Sequence, residues 1–449
     1  MHAERIESYL VPKYSLAGKV RTATIPEMMA QDHIPGVSIA FVDGGQLAWT
    51  RHYGYANLED STRVASSTVF TGASLSKPIT AMAALRLVES GKLNLDEDVN
   101  QQLTSWKVPE NEWTATEKVT LRRLIGHSAG IKNDMWSSYL PDETVPTLTQ
   151  MLAGKSPSVD PATSLIREPG SKVSYSNPGY SIIQQLLMDV SGQAFAPLID
   201  ELVFSPVGMK HSSFLQPLPE HLMAHRATGY TENLEPYPYR LFPYQAAGGI
   251  WTTPTDLAQF LIALLDDHHK GTQTLVSQQT TQTVFKKFGG RFVFSLWDWG
   301  EDIVFMHSGS NQGFNCILFG SLAKNQGVVV MTNSDNAFGF FDYVQRAISH
   351  EYQWEYVRPE IHEPVTKALN WVDPFLGEYP WRDQKVRFRQ VKDQLWLAIE
   401  DQKVLLTQTD ERTFIEPERP LKITFPENTE GRITIWEPSG YPYRIKVNP

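Results

Sequence analysis

The chain has 449 residues, of which 41% are hydrophobic and 20% charged, ordinary values that exclude disordered, fibrous and coiled-coil proteins. This length predicts about three domains, or one large domain with a small one, and allows a sizeable core. Asp and Glu number 50 against 40 Lys and Arg, which argues against a nucleic-acid partner because such proteins need a basic face to neutralise phosphates.

The N-terminal region offers no targeting or membrane signal. Charged residues interrupt its apolar positions, so the hydrophobic segment of a signal peptide is missing there. No stretch approaches the roughly 18 unbroken apolar residues of a membrane helix. We therefore expect no membrane partner and, for a native start, a cytoplasmic protein; a trimmed leader would instead make it periplasmic or secreted. The single cysteine, Cys316, does not indicate a compartment.

Two β-hairpins are predicted. Segments 36–42 and 46–53 flank the turn Asp43-Gly44-Gly45, and segments 314–319 and 327–332 are β-branched and aromatic runs joined by a polar turn. The pattern between the hairpins is largely helical. This arrangement indicates an α/β (α+β) domain whose antiparallel sheet is assembled from both ends of the chain, with a helical region inserted between them.

Three helices are predicted in the inserted region. Residues 78–90 are apolar on nearly every side, which predicts a buried helix, and Gly91 suits the position just after its end. Residues 180–190 and 255–266 each show one apolar face. The second of these helices follows the start signal Thr253-Pro254-Thr255.

The character of the chain changes near residue 358. Residues 358–364 carry two prolines and alternating charges, which predicts a linker between a first domain, 1–357, and a second domain, 365–449. Beyond the linker, seven short runs with a period of two are separated by turn residues, a pattern typical of a small closed barrel or sandwich. The predicted strands are 386–391, 395–399, 404–408, 413–415, 421–425, 433–436 and 443–447.

The sharpest local feature is Ser74-Leu75-Ser76-Lys77 at the start of the predicted buried helix. A serine and a lysine three positions apart lie on one helix face. The N–H groups and dipole of a helix start favour an oxyanion, and a partly buried lysine loses its charge more easily, so that it can deprotonate the serine. On its own, the pattern is also compatible with a capping serine and a solvated lysine.

Further motifs follow in a fixed order. They are TLRRLIGHSAGI at 120–131, Glu168-Pro169-Gly170, Tyr175-Ser176-Asn177 and His307-Ser308-Gly309-Ser310. With this ordered set, over about residues 25–350, the sequence resembles the penicillin-recognising serine hydrolases. That family includes class C β-lactamases, low-molecular-weight penicillin-binding proteins, D-aminopeptidases and esterases. The residues after about 365 resemble the lipocalin-like β-barrel domain that some members append.

The resemblance implies a catalytic set that needs no cofactor and no metal. It assigns Ser74 as the acylated nucleophile and Lys77 as its base. It places Tyr175 where the tyrosine of the family assists proton transfer to the leaving group. It further implies that Asn177 holds both Lys77 and the amide of the substrate.

The third motif is implied to bind substrate. His307 and Gly309 would lie on the strand whose edge pairs with the substrate backbone, and the N–H groups of Ser74 and Ser310 would form the oxyanion hole. β-Lactamases carry a lysine at the position of His307, and its fixed charge binds the β-lactam carboxylate. Because a histidine is mostly neutral at pH 7, we expect inefficient β-lactam turnover. A purely structural histidine is the alternative at this position.

Several other residues are weaker candidates. His221 and His225 are four positions apart, but no third metal ligand is evident. Cys316 lies inside a predicted strand and is expected in the core. The aromatic residues of segment 214–244 suit either a pocket wall or a loop packed on the core. His127 is expected to be structural, in the loop that braces the helical region.

The sequence therefore predicts a serine hydrolase that forms an acyl-enzyme on Ser74. Its expected partners are small-molecule or peptide substrates with amide, peptide or ester bonds, including substrates that contain D-amino acids. One alternative is an acyl transferase or peptide cyclase that uses the same acyl-enzyme. Two others are a β-lactamase and a catalytically silent sensor that resembles a penicillin-binding protein.

Overall fold

The computed structural model describes residues 1–286, 293–382, 384–400, 402–416, 421–436 and 442–447. The chain forms two compact units. We call residues 29–337 the large unit, and residues 1–28 together with 338–449 the small unit. Within the described residues, the helices are all too short or too polar to cross a bilayer.

Helices are concentrated in the middle of the described chain and strands towards its ends. The strands are β1 (Tyr14–Leu16), β2 (Gly36–Asp43), β3 (Gln46–Asn57), β4 (Thr62–Arg63), β5 (Phe70–Ala73), β6 (Ile250–Thr252), β7 (Ser295–Trp299), β8 (Asp302–Asn311), β9 (Phe314–Ser321), β10 (Gln326–Thr332), β11 (Glu360–His362), β12 (Gly377–Trp381), β13 (Gln384–Val391), β14 (Gln394–Ile399), β15 (Gln402–Gln408), β16 (Thr413–Glu416), β17 (Leu421–Thr424), β18 (Arg432–Trp436) and β19 (Pro442–Lys446). The α-helices are α1 (His2–Glu7), α2 (Ile25–Gln31), α3 (Ser76–Glu89), α4 (Leu121–Ile125), α5 (Leu148–Leu152), α6 (Asn177–Ser191), α7 (Phe195–Ile199), α8 (Ser205–Val207), α9 (Glu220–Met223), α10 (Gln245–Gly248), α11 (Pro254–Lys270), α12 (Gln278–Val284) and α13 (Phe338–Glu351).

A seven-stranded antiparallel sheet forms the centre of the large unit, with the strand order β4-β3-β2-β10-β9-β8-β7. Val37 on β2 pairs with Thr332 on β10, so the first hairpin lies directly against the second. Gly44 and Gly45 make the turn between β2 and β3, with φ values of 56° and 75° that glycine adopts without strain. Both predicted hairpins, and the assembly of the sheet from distant parts of the chain, are confirmed.

The predicted helices pack around this sheet. Residues 76–85 of α3 are all buried, as their apolar composition predicts. Helix α11 packs on β2 and β10, and Gly327 permits this contact, because a Cβ there would lie 2.2 Å from Leu261 Cδ2. Thr253 caps α11, and its Oγ1 accepts a hydrogen bond of 3.1 Å from the Asp256 N–H.

The small unit includes more of the chain than the sequence pattern indicates. Segment 358–364, predicted as a linker, contains β11, which pairs in parallel with β1. Helix α13 packs against α1, where Arg5 and Glu351 form an ion pair. The buried Arg346 of α13 also donates from Nε to Val11 O over 2.7 Å. These contacts group both ends of the predicted first domain, 1–357, with the barrel.

Strands β12 to β19 form one antiparallel sheet in chain order. Because β12 also contacts β19, the sheet is a nearly closed barrel. All seven predicted strands are present, and their period of two is visible in β13, where Val386 and Phe388 are buried between exposed neighbours. The eighth strand, β12, escapes the sequence pattern because Gly377 and Pro380 are unusual inside a strand.

Candidate active site

The turn at residues 74–77 brings a hydroxyl and an amine together. Lys77 Nζ lies 3.1 Å from Ser74 Oγ and donates a second hydrogen bond, of 2.6 Å, to Ala247 O. Helix α3 begins at Ser76 with Leu75 in the capping position, and Lys77 is completely buried. The interpretation of the motif as a capping serine with a solvated lysine is therefore wrong.

Two tyrosine rings surround the amine. Lys77 Nζ lies 4.7 Å from the ring centroid of Tyr175 and 5.7 Å from that of Tyr180. Complete burial disfavours the charged form of an amine, whereas aromatic faces attract a cation. The two influences oppose each other, which suits a group that must take up a proton and then return it.

The start of α6 carries the second motif. Ser176 caps this helix, and the Asn177 N–H donates to Asn133 Oδ1 over 2.8 Å. Asn177 Nδ2 donates to Met135 O over 3.3 Å, while its Oδ1 is buried and has no hydrogen-bond partner within the described part of the chain. A hydrogen bond from Lys77 to this oxygen, as the resemblance implies, is thus not formed in this structure.

Strand β8 lies against the backbone of Ser74. A Cβ added to Gly309 would lie 3.0 Å from Ser74 N and 2.7 Å from Gly72 O, so only glycine fits at this position. Ser310, the next residue, is exposed. The backbone at 309–310 therefore runs beside the Ser74 N–H, where a pair of backbone donors for an oxyanion is expected.

His307 lies in the middle of β8 and is buried. Its Nδ1 is 2.9 Å from Ser308 O, and because a carbonyl can only accept, Nδ1 carries a proton. Its ring centroid is 6.4 Å from that of Tyr175. Strand β7 pairs with β8 from Asp302 to Met306. Beyond that point β8 continues past His307 to Gly309, which lies against the Ser74 backbone, and to the exposed Ser310. A strand placed in this way can pair with an extended substrate.

His127 has a larger part in the site than its sequence indicates. Its carbonyl accepts from the Ser174 N–H over 2.7 Å, and its Nδ1 accepts from the Ser176 N–H over 3.1 Å. Its ring centroid lies 4.4 Å from that of Tyr175. His127 therefore holds both neighbours of Tyr175 as well as its ring. The motif around 126–128 is a signal, but Tyr175 is almost 50 positions away and the contact has no local signature.

The structure also places Cys316 and the aromatic segment 214–244, which the sequence marked as weaker candidates. Cys316 is buried, its Sγ donates to Gly72 O over 3.2 Å, and burial raises the pKa of its thiol, so its predicted core position is confirmed. The described residues contain no cluster of three His, Cys, Asp or Glu side chains arranged to hold a metal. In segment 214–244, Tyr244 is buried, whereas Tyr239 lines a cleft. This segment therefore contributes both to the core and to the wall of a cleft, the two alternatives that its sequence left open.

The fold and the ordered motifs define a β-lactamase/transpeptidase-like protein. The model of the Beta-lactamase family matches residues 22–351. The chain therefore belongs to the Beta-lactamase family.

Three similar proteins extend this comparison. Penicillin-binding protein 4 of Amycolatopsis lactamdurans is 27% identical over 380 residues, 78% of this chain and 94% of the relative. The octameric penicillin-binding protein homologue from Pyrococcus abyssi has a TM-score of 0.62 at 20% identity and covers 94% of this chain and 98% of its own. SurE, in its structure with D-Leu, has a TM-score of 0.59 at 19% identity, over 93% and 97% of the two chains. The structural likenesses concern the fold alone.

We predict that His127→Asn lowers kcat/KM for a small ester by about 10- to 100-fold, since small displacements of catalytic groups are costly. Asparagine tolerates the φ of 55° at this position, so circular dichroism should show an unchanged fold. The exposed His221 supplies the control variant His221→Asn, which should retain full activity.

The role of His127 is separated from a general structural effect by a double mutant. If His127 acts through Tyr175, then His127→Asn should cause little further loss in a Tyr175→Phe background. Fully multiplicative losses, or an unchanged kcat/KM in a folded His127→Asn protein, would contradict the assignment.

Proposed function

We propose that the protein is a serine hydrolase that works through an acyl-enzyme on Ser74. The observation that carries this proposal is the 3.1 Å contact between Ser74 Oγ and the completely buried Lys77 Nζ. A nucleophile within hydrogen-bonding distance of a base, with the base held by a third group, is the arrangement that activates a serine. The third group here is Ala247 O, 2.6 Å from the amine.

In the proposed acylation, neutral Lys77 takes the proton of Ser74 as the serine oxygen attacks the substrate carbonyl. The carbonyl oxygen becomes an oxyanion, and the N–H groups of Ser74 and Ser310 stabilise it. Tyr175 passes a proton to the leaving group when the tetrahedral intermediate collapses, and Lys77 replaces it with the proton taken from Ser74. Water then attacks the ester on Ser74 and gives a proton to Lys77, which returns it to Ser74 Oγ as the acid is released.

The proposed substrates are amides, peptides and esters, including those that contain D-amino acids. Ser310 is exposed and follows Gly309, which lies against the Ser74 backbone, and this placement supports a substrate that extends along β8. The likeness to SurE, whose structure contains D-Leu, supports testing D-aminoacyl compounds first. A screen of D- and L-aminoacyl p-nitroanilides and short p-nitrophenyl esters would identify the preferred acyl group.

Ser74→Ala should abolish covalent labelling by a fluorophosphonate and lower kcat by several orders of magnitude, because no acyl-enzyme can form. Since Ser74 does not cap α3, the stability cost should be limited to one hydrogen bond, about 1 kcal/mol. In-gel fluorescence and urea unfolding measure the two effects. Wild-type turnover in this variant would disprove the proposal, and an unlabelled wild-type protein would favour a catalytically silent sensor.

Lys77→Arg should be nearly inactive, because a guanidinium does not release its proton in the accessible pH range. Wild-type kcat/KM should fall on the acid side of the pH profile, where the amine becomes protonated. Lys77→Met, which removes the charge without adding bulk, guards against a folding failure of the larger side chain. Substantial activity in either folded variant would show that another group accepts the serine proton.

Nitrocefin hydrolysis should be slow beside hydrolysis of a small ester, because His307 provides no fixed charge for the β-lactam carboxylate. His307→Lys should tighten the binding of carboxylate-bearing β-lactams by about 1.5–3 kcal/mol at best, the range of a charge-assisted hydrogen bond. The change in binding is measured as the inhibition constant of the β-lactam against ester hydrolysis, in the wild-type and His307→Lys proteins. Cephalosporin turnover as efficient as the best ester turnover would contradict the argument.

A further inference from the structure

A narrow cleft in the large unit combines aromatic rings with two arginines. Its walls include the rings of Tyr239, Trp251 and Phe314, and both Arg226 and Arg240 line it. Its free space is about 20 Å³, room for roughly one water-sized group. The cleft is therefore too small for a whole side chain and suits the tip of a polar group.

Among the residues that the structure describes, no acid forms an ion pair with either arginine. The guanidinium of Arg226 lies 4.9 Å from the ring centroid of Tyr239 and forms no ion pair within the described part of the chain. Its burial lowers the pKa of that guanidinium, an effect that a bound anion would oppose. Arg240 donates from Nη1 to Ser138 O over 3.1 Å, while its Nε is buried and makes no hydrogen bond to the described residues.

Asp335, an acid close to the cleft, is already engaged. Its Oδ1 accepts a hydrogen bond of 2.7 Å from the Gly313 N–H, and burial together with the Asp335 carboxylate raises the pKa of Tyr237. Acidic side chains outnumber basic ones by 50 to 40 in this chain. Two arginines at one cleft that have no carboxylate partner within the described residues therefore indicate an anionic ligand.

Thr71 connects the cleft to the candidate active site. Thr71 lines the cleft, and its Oγ1 accepts hydrogen bonds from Asn311 Nδ2 over 2.8 Å and from the Ala73 N–H over 3.3 Å. Three peptide units separate Thr71 from Ser74, so their Cα atoms are at most about 11 Å apart. The cleft is thus within reach of a substrate whose carbonyl lies at Ser74.

Strand β8 indicates which end of such a substrate would reach the cleft. Asn311 ends β8, four positions after His307, and Gln312, the next residue, also lines the cleft. We propose that the cleft binds a carboxylate of the substrate through Arg226 and Arg240, at the end of the substrate away from His307. This inference rests on the proposed function, because it requires a substrate bound at Ser74.

Two matched substrate pairs test the proposal. Mono-p-nitrophenyl succinate and p-nitrophenyl butyrate differ by a carboxylate at the acyl end. The 4-carboxyphenyl and phenyl esters of butyric acid differ by a carboxylate in the leaving group. In the wild-type protein, kcat/KM should favour the anionic member of one pair about tenfold or more, as a charge-assisted hydrogen bond allows.

The arginine variants then identify the source of that preference. Arg226→Gln and Arg240→Gln should each reduce the ratio of anionic to neutral kcat/KM at least about fivefold. Arg63 provides the matched control, since it is an exposed arginine of the large unit whose guanidinium also lies over a tyrosine, 4.1 Å from the Tyr55 ring centroid. Arg63→Gln should leave the ratio unchanged. Ratios that favour the neutral ester in both pairs, or that survive both cleft variants, would overturn the proposal.

A binding measurement keeps the test independent of turnover. Glutarate at about 50 mM should raise the Tm of the Ser74→Ala protein by about 2 °C relative to sodium chloride of equal ionic strength. The shift should disappear when Arg226→Gln is added. No shift in the folded Ser74→Ala protein would also overturn the carboxylate site. Absence of fluorophosphonate labelling in the wild-type protein, with the glutarate shift present, would instead disprove the proposed function alone.

Discussion

The Lys77 amine is completely buried, and an amine removed from water must find hydrogen-bond acceptors within the protein. It finds them in Ser74 Oγ, one helical turn away, and in Ala247 O, 170 positions along the chain. The preceding N–H, that of Ala246, donates to Gln184 Oε1 on α6 over 3.0 Å. Segment 246–247 therefore links the Lys77 amine to α6. Displacing this segment would remove a hydrogen bond from the buried amine, at a cost of about 1 kcal/mol or more.

The close approach of strands to this turn depends on small residues. Gly309 has no room for a Cβ against Ser74 N, and Cys316 on β9 contacts Gly72 O through its Sγ. With small side chains at 72, 309 and 316, the backbones of β5, β8 and β9 lie close together. The proposed oxyanion donors are backbone groups of this region. Their positions consequently depend on strand pairing, which is more rigid than a side-chain rotamer.

The elements with strong hydrophobic periodicity could be predicted from the local sequence. They are both hairpins, α3 and seven barrel strands. The local sequence fails to predict β11, which forms inside a proline-bounded segment because its partner is β1 near the other end of the chain. Ser74, Lys77 and Tyr175 stand in motifs that can be recognised from the sequence alone. Tyr180 has no such signature, and the motif that contains His127 does not reveal its contact with Tyr175. Their contacts with Lys77 and Tyr175 depend on α6 packing against α3 and α4, which no local pattern encodes.

The position of fixed positive charge distinguishes this site from that of the β-lactamases it resembles. His307 donates its Nδ1 proton to Ser308 O, and a histidine offers no permanent charge at pH 7. The cleft offers two guanidinium groups instead, those of Arg226 and Arg240, and arginine is the side chain that carries a fixed positive charge in proteins. In the proposed arrangement, a substrate carboxylate is therefore bound beyond the far end of β8. The hydroxyl–amine pair is held by Ala247 and two tyrosine rings. Under this proposal, moving the positive charge from one end of β8 to the other changes which substrates bind. The residues proposed for acylation stay the same.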